Sequence, residues 1–405
     1  MVARHLAART GGGASCPTQL SPPLAPVPAV PVEPFLIERF FAQHEFTTPH
    51  LLGVSDCETR TVGELLALEP DAQERLRALG LGYTEGEGHV ELRAAIAATY
   101  ERLGPEDVLV HAAGVEVLLT VALAVLEPGD HAVVHHPGYQ AQRTAAALAG
   151  ADVSLWAARP ERGWAPDPDE LRPLLDRPRT RLLILTTPHN PTGYHFDEGE
   201  LRHVLGLAEE RGVTVLVDEA YRGTEYDPRS RMPSAADLSE SACALGLTSK
   251  GLGLPGLRIG WLATRDPALR ASVALAKDYT SICAPAPSEL LATIALRHWD
   301  SLLAETRTRL VRHLALFADF VGRHDGRFDW VPPRAGPVTF PTLRVDRPED
   351  LSRRLREEAG VLVVPGTVFE PTSREIRVGF GRAGFPEGLA HFDAWLKADG
   401  AGGAE

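Results

Sequence analysis

The sequence predicts a doubly wound α/β fold, in which a sheet lies between two layers of helices. From residue 33 onward, short apolar runs with flanking turn residues alternate with longer stretches of helical period. Three polar motifs directly follow predicted strands, which is where an open α/β sheet binds its ligands. No segment repeats at a fixed period, so solenoid and propeller folds are excluded.

Seven apolar runs bounded by turn residues are predicted strands. They cover residues 108–111, 131–135, 152–155, 181–186, 214–217, 243–247 and 259–263. Between the earlier strands, apolar residues recur with the spacing of a helix over residues 92–102, 115–126 and 198–211.

Beyond about residue 285 the pattern changes, which predicts a second, smaller α+β domain. Long helices rich in Leu, Ala and Arg come first, followed by the apolar segments 338–343 and 361–364 and a last helix near 388–397. We expect a Pro-, Ala- and Gly-rich disordered extension (1–32), an N-terminal arm that belongs partly to the small domain (33–75), a large domain (76–290) and a C-terminal small domain (291–405).

Composition and charge exclude several classes of protein. The 405 residues include 41 basic and 54 acidic ones, a net charge of −13, which excludes a nucleic-acid binder that works by neutralising phosphates. The longest apolar stretch, 115–126, is interrupted by Glu116 and Thr120 and is shorter than the about 20 residues that span a membrane. Four widely spaced cysteines predict neither disulfides nor a metal site, and they fit a reducing cytoplasm.

The first polar motif, 248–258, follows the strand 243–247 and places Lys250 between a hydroxyl pair and a glycine-rich turn. A lysine there is either a solvated surface charge or an amine that loses its proton and forms a Schiff base. Arg258 can reach back as a bidentate ligand of phosphate. The glycines also match a dinucleotide fingerprint, but Pro255 interrupts it and a strand follows instead of a helix, so we reject a nicotinamide site.

The other two motifs also allow two interpretations. Asp218 directly follows the predicted strand 214–217, and Tyr221 follows three residues later. An acid there is either a helix N-cap or the carboxylate that keeps a pyridinium nitrogen protonated. In the motif 188–193, Asn190 lies among strong turn formers, so turn chemistry alone accounts for it, and His189 is more often structural than metal-binding.

Taken in order, eight motifs resemble the class I and II aminotransferases, fold-type I enzymes that use pyridoxal 5′-phosphate (PLP). They are GYTEGEG (82–88), AGVE (113–116), HPGY (136–139), PHNPTG (188–193), DEAY (218–221), the segment 249–260, VPG (364–366) and IRVGF (376–380). The resemblance implies a large domain with a mostly parallel seven-stranded sheet, a smaller α+β domain, PLP as cofactor, an amino acid as substrate, and a homodimer with shared active sites.

The same resemblance implies roles for individual residues. Lys250 would bind the cofactor as a Schiff base and transfer a proton, while Asp218 would pair with the pyridinium nitrogen. Asn190 and Tyr221 would contact the ring 3′-oxygen, and Tyr139 would stack on the ring. The phosphate would lie at a helix N-terminus, where free amides and the dipole favour an anion, with the ligands Gly114, Val115, Glu116, Ser249 and Arg258.

The remaining expected site residues concern the substrate and the partner subunit. Arg377 would bind the substrate α-carboxylate, next to Asn190, and Tyr83 would come from the partner. Substrate preference would be set near Gly53, by the loop 222–231 and by the partner's segment 279–283.

Two positions depart from the family pattern. Leu247 occupies a place where the family often has a hydroxyl, so one phosphate hydroxyl is either absent or supplied by Thr248. Glu116 brings a carboxylate close to the phosphate, so we expect its side chain to point away and its backbone to contribute.

The type of reaction stays open at this point, because fold-type I enzymes catalyse several. We predict a PLP-dependent aminotransferase. The stretches 33–41 and 277–280 are similar to the capreomycidine-synthase-like branch, which cyclises a hydroxylated arginine in antibiotic biosynthesis. The alternative is therefore a lyase, cyclase or decarboxylating or oxidatively deaminating enzyme that acts on an unusual amino acid. A PLP-fold regulator would need a basic DNA-binding segment, which the sequence lacks.

Overall fold

A computed structural model describes residues 32–401 of the chain. From Pro34 onward the chain forms one compact unit, so the domain boundary near residue 290 stays a prediction. The expected extension 1–32 lies, except for Val32, outside the described residues.

Fourteen α-helices are present in the described residues. They are α1 (Leu36–His44), α2 (Val62–Leu66), α3 (Ala72–Ala78), α4 (Val90–Ala97), α5 (Gly114–Val125), α6 (Gln140–Leu148), α7 (Pro168–Leu175), α8 (Glu198–Glu209), α9 (Ala235–Leu238), α10 (Pro267–Lys277), α11 (Ala286–Arg297), α12 (Trp299–Arg323), α13 (Pro348–Ala359) and α14 (Phe385–Ala401). None of these helices is both long and apolar enough to cross a membrane.

The strands of the described chain form one large sheet and three small ones. They are β1 (His50–Leu51), β2 (Val108–His111), β3 (His131–His136), β4 (Asp152–Ala157), β5 (Thr180–Thr186), β6 (Thr214–Asp218), β7 (Ala242–Leu247), β8 (Gly260–Thr264), β9 (Phe328–Asp329), β10 (Val338–Thr339), β11 (Thr342–Leu343), β12 (Val361–Leu362), β13 (Val364–Pro365) and β14 (Ile376–Gly379).

The large sheet has the strand order β2-β8-β7-β6-β5-β3-β4. Its strands are parallel except β8, which is antiparallel to both β2 and β7. Alternate residues face opposite helix layers: Leu182 and Ile184 pack with α5, α6 and α10, whereas Leu183 and Leu185 pack with α7 and α8. The predicted mostly parallel seven-stranded sheet is confirmed, with strand ends within two residues of the expected ones.

One predicted helix is too long. The pattern over 92–102 extends five residues beyond the end of α4 at Ala97, because the apolar spacing continues into a turn. The amides of Glu101 and Arg102 donate to Asp237 Oδ1 at 3.0 and 2.8 Å, and this distant carboxylate replaces the helical bonds. A contact 135 residues away therefore ends the helix.

The small sheets pack with α12, α13 and α14. β10, β14 and β13 form one antiparallel sheet, and β9 pairs with β11. The N-terminal strand β1 pairs in parallel with β12, which brings the arm against this C-terminal region. The core here is rich in aromatic residues, including Phe317, Phe320, Phe380 and Phe392.

Candidate active site

A cavity of about 470 Å³ opens at the carboxyl ends of β5, β6 and β7. The register of the sheet places the ends of these strands side by side, with Thr186 opposite Asp218 and Asp218 opposite Leu245. Ten of the thirteen expected site residues line the cavity: Gly114, Val115, Tyr139, Asn190, Asp218, Tyr221, Ser249, Lys250, Arg258 and Arg377. The other three, Gly53, Tyr83 and Glu116, do not.

Asp218 is the buried acid of the site. Its Oδ2 accepts from Gln142 Nε2 at 3.0 Å, and its Oδ1 accepts from the Ala220 amide at 3.1 Å. Burial raises the pKa of this carboxyl, although its hydrogen bonds and Lys250 oppose the rise. The residues after Asp218 form a turn, so the N-cap interpretation is wrong. A cationic N–H is the partner that would stabilise a carboxylate placed here.

Lys250 lies in the turn after β7, with its amine inside the cavity. Its Nζ donates to Ser55 Oγ at 2.8 Å. Burial lowers the pKa of Lys250, while the carboxylates of Asp56 and Asp218 act in the opposite direction. The interpretation as a solvated surface charge is therefore wrong, because the amine is enclosed and its proton is easier to remove.

A third group of residues lines the cavity where α5 begins. Gly114 begins α5 so close to β7 that a Cβ there would lie 2.8 Å from Leu247 Cδ2. Ser249 and Arg258 line the same cavity, and Arg258 Nη1 also donates to the Pro255 carbonyl at 2.9 Å. A helix N-terminus, a hydroxyl and a guanidinium together are suited to a phosphate group.

The two departures from the family pattern have different outcomes. The Glu116 carboxylate binds away from the cavity, because its oxygens accept from the Ala112 amide at 2.6 Å, the Ser281 amide at 3.0 Å and the Thr280 hydroxyl. The alternative that Thr248 supplies a phosphate hydroxyl is wrong. Its buried hydroxyl donates to the carbonyls of Ile259 and Leu254. Successive side chains at a strand end point in opposite directions, so Thr248 points away from the cavity that its neighbours Leu247 and Ser249 line.

Arg377 lies on β14 and is buried. Its Nη2 and Nε donate to the Gly53 carbonyl at 2.7 and 3.2 Å, and its Nη1 donates to Asn190 Oδ1 at 3.1 Å. These partners are neutral, and burial lowers the pKa of the guanidinium to about 10. Gly53 therefore acts through its carbonyl and positions a buried cation that fits a carboxylate.

Two tyrosines also line the cavity. The Tyr221 hydroxyl donates to the Ser55 carbonyl at 3.0 Å, and the ring is buried. The Tyr139 hydroxyl donates to Glu38 Oε1 at 3.2 Å. Tyr83, the residue expected from a partner subunit, is 91% exposed and does not line the cavity of its own chain.

Sequence reasoning missed the wall opposite the sheet. It consists of residues from α1 and from the segment that follows β1: Ile37, Glu38, Phe41, Glu45, Val54, Ser55 and Asp56. Charged residues on a short amphipathic helix are typical of a solvated face, so no local signal distinguishes them. The loop 222–231, expected to set substrate preference, does not line the cavity; Arg222 instead covers the Tyr100 ring at 4.7 Å.

Comparisons with known proteins agree with this geometry. The family model Aminotransferase class I and II matches residues 51–390. A capreomycidine synthase from Streptomyces vinaceus is 34% identical over 372 residues, 90% of this chain and 92% of that protein. A solved PLP-dependent aminotransferase from Streptococcus suis 89-1591 is 30% identical, with a TM-score of 0.85 over 91% of this chain and 98% of that chain. The PLP-dependent cyclase OrfR is 26% identical, with a TM-score of 0.83 over 93% of this chain and 99% of that chain.

Proposed function

Since the chain belongs to the class I and II aminotransferase family of PLP-dependent enzymes, we propose that it is an aminotransferase that acts on the α-amino group of an L-amino acid. The cofactor would be attached through Lys250. The observation that carries this proposal is the position of the Lys250 amine between a buried acid and an anion-binding helix end. These residues fit PLP: Asp218 would bind the pyridine nitrogen, and α5, Ser249 and Arg258 would bind the phosphate.

PLP supplies an electron sink for the substrate Cα, and the protein supplies the binding and the proton transfer. Arg377 would bind the substrate carboxylate with its fork of N–H groups, which fixes the Cα–H bond toward Lys250. Burial lowers the pKa of Lys250, so its free amine can accept that proton at Nζ. Asn190 orients Arg377, and Tyr221 lies beside the reacting groups.

We further propose that the substrate side chain is cationic. Bound phosphate and substrate carboxylate would neutralise Arg258 and Arg377, and the pyridinium would neutralise Asp218. Two carboxylates of the opposite wall, Glu38 and Glu45, are then left.

The surroundings of these two carboxylates support a cationic ligand. Within residues 32–401 the structure gives Glu38 no ion-pair partner. Arg382 Nη2 lies 3.9 Å from Glu45, but Asp56 already binds that guanidinium at 2.8 and 3.1 Å. Burial raises the pKa of Glu45, and a guanidinium or ammonium group would stabilise its charged form.

A second candidate function is cyclisation or elimination on such an amino acid in a natural-product pathway. The names of two relatives favour it, because a capreomycidine synthase and a PLP-dependent cyclase are both similar over nine-tenths or more of this chain. The same Lys250 amine would serve both functions, so the residues described above are compatible with either.

The test is a visible absorption titration of the holoenzyme with single amino acids and no keto-acid acceptor. L-Arginine, L-ornithine and a β-hydroxylated arginine are compared with L-leucine and L-aspartate. One stoichiometric conversion of the cofactor to its amine form shows transamination, whereas product that accumulates over many turnovers shows a lyase or cyclase. Equal responses to leucine and arginine would contradict the cationic substrate.

Attachment at Lys250 is tested separately. Borohydride reduction of the holoenzyme followed by peptide mass spectrometry should place one pyridoxyl group on the peptide that contains Lys250. A label on another lysine, or none, would overturn the proposed role.

We also propose a homodimer in which Tyr83 completes the partner's site. The side chains of Tyr83 and Tyr279 are 91% and 93% exposed. Such large exposed aromatic side chains are typical of a surface that a second subunit covers. Light scattering should give twice the monomer mass, and Tyr83→Ala should weaken PLP binding without changing the free energy of unfolding of the monomer. A monomeric enzyme with full activity would refute this.

A further inference from the structure

The segment of residues 53–56 has a fixed position on β14. A Cβ at Gly379 would lie 1.7 Å from the Val54 carbonyl oxygen, and one at Gly381 would lie 2.4 Å from the Asp56 carbonyl oxygen. Only residues without side chains permit so close an approach of two backbones. The bidentate contact between Asp56 and Arg382 adds a second attachment. The segment is therefore part of a rigid wall.

This segment contacts three groups of the site at once. The Gly53 carbonyl accepts from Arg377, and the Ser55 carbonyl accepts from the Tyr221 hydroxyl at 3.0 Å. The Ser55 hydroxyl lies 2.8 Å from Lys250 Nζ and lines the cavity. Ser55 is thus a side chain in direct contact with the Lys250 amine.

A hydroxyl is suited to that position for a chemical reason. Nζ alternates between a protonated state, which only donates, and a neutral amine, which also accepts. Both states carry N–H groups, so the serine hydroxyl oxygen can accept one of them in either state, which leaves the lone pair of the neutral amine free for the substrate proton. Ser55 Oγ can therefore stay bonded to the amine through both halves of a proton transfer.

We propose that Ser55 is a catalytic residue whose hydroxyl orients the free Lys250 amine for proton transfer at the substrate Cα. As the Cα–H bond breaks, its electron pair stays on the substrate and the proton moves to Nζ. Throughout this transfer and the return of the proton, the Ser55 hydroxyl oxygen accepts an N–H of Lys250, so the lone pair of the amine stays free to face the Cα–H bond. This inference rests on the proposed function, because it takes Lys250 as the residue that carries the cofactor.

The electrostatic surroundings of Lys250 define a readout that needs no turnover. The amine faces the carboxylates of Asp56 and Asp218, the guanidinium of Arg377 and the thiol of Cys57, and burial lowers its pKa. A hydrogen bond from an ammonium to a hydroxyl is charge-assisted and favours the protonated form. Removal of the hydroxyl should therefore lower the pKa of Lys250 further.

The experiment compares wild type with Ser55→Ala, Ser55→Thr and the control Ser272→Ala, an exposed serine on α10. In the apoenzyme, the rate at which trinitrobenzenesulfonate modifies Lys250 is followed against pH, with the peptide identified by mass spectrometry. We expect the midpoint to move to lower pH in Ser55→Ala and to return in Ser55→Thr. In the holoenzyme, kcat of Ser55→Ala should fall about 10- to 100-fold with KM nearly unchanged.

Two results would overturn the inference. One is a Ser55→Ala enzyme with the wild-type midpoint and the wild-type kcat. The other is a loss of kcat that Ser55→Thr does not restore. If the alanine variant does not fold, Ser55→Cys applies the same test, because a thiol of similar size is a weak hydrogen-bond partner. A pyridoxyl label on Lys250 together with an unchanged Ser55→Ala enzyme refutes this inference alone, whereas a missing label refutes the proposed function.

Discussion

The two walls of the cavity come from parts of the chain that differ in kind. The sheet wall consists of residues at the ends of β5, β6 and β7 or in the turns that follow, so strand ends position Asn190, Asp218 and Lys250. The arm wall consists of α1 and the segment 53–56, which reach the cavity from the N-terminal part of the chain. The difference suggests a division of labour, in which the sheet wall binds the cofactor and the arm wall contacts the substrate and Lys250.

The largest effect expected from the sheet wall is that of Lys250→Ala. Removal of the amine eliminates both covalent attachment and the proton carrier, so kcat should fall by about 10⁴-fold. Lys397→Ala, a surface lysine paired with Asp393 on α14, is the matched control and should keep full activity. Turnover above a hundredth of the wild-type rate in Lys250→Ala would place the proton carrier elsewhere.

The substitution Asp218→Asn should have the next largest effect on the rate. The amide cannot stabilise a pyridinium by charge, so the rate should fall by roughly 10²- to 10³-fold while PLP still binds. Glu219→Gln is the sharpest control, because the neighbouring carboxylate is buried on the other side, where it accepts from Ser234 and Ala235. Equal losses in the two variants would show that the effect is structural and not specific to the cofactor side.

Arg377→Lys tests the boundary between the two walls, since Arg377 contacts both Gly53 and Asn190. Lysine keeps the charge but loses the fork, so KM should rise about 10- to 100-fold with a smaller change in kcat. Steady-state kinetics with the best substrate of the panel measures both. A change in kcat alone would contradict a role in carboxylate binding.

Glu45→Gln should give a smaller effect that belongs to the arm wall. The carboxylate is partly exposed, so its loss should raise KM for a cationic substrate only about 2- to 5-fold. KM for a neutral amino acid should not change. The division of labour between the walls would be wrong if both substrates were affected equally.

A separate effect concerns stability and not catalysis. Burial raises the pKa of Glu219 to about 7 from its ordinary value of 4.5, with Arg222 and the hydrogen bonds to the carboxylate acting against it. Below pH 4.5 both the folded and the unfolded chain hold this proton. Between pH 4.5 and 7 the unfolded chain releases it first, so stability falls as pH rises.

The corresponding measurement is urea unfolding of wild type and Glu219→Gln at pH 5 and pH 8. The wild type should lose up to about 3 kcal/mol more than the variant between these two pH values. The same loss in both proteins would mean that the pKa of Glu219 is not raised.

The sheet wall was largely predictable from the sequence because its residues are local to strands. A strand end fixes both the position and the direction of the next few residues, so Asp218 and Lys250 could be found from apolar runs and turn residues. Even so, Asp218 and Glu219 are neighbours in the chain, and only their packing shows which one faces the cavity.

The arm wall was not predictable in this way. Ser55 lies 195 residues from Lys250, and Glu38 lies 101 residues from Tyr139, its hydrogen-bond partner. Nothing in the composition of α1 separates a carboxylate that faces a cavity from one that faces solvent. The direction of the Thr248 hydroxyl was also not predictable, because its partners, the carbonyls of Leu254 and Ile259, lie across the turn that follows β7.

By itself, the sequence determined the α/β class, the seven strands and the polar motifs at strand ends, since these depend on hydrophobic period and on turn chemistry at strand ends. The tertiary structure alone decided where α4 ends, which carboxylates line the cavity and that Ser55 contacts Lys250. The physical reason is that these features are contacts between distant segments, and their geometry is set by the packing of the arm against β14 and the sheet.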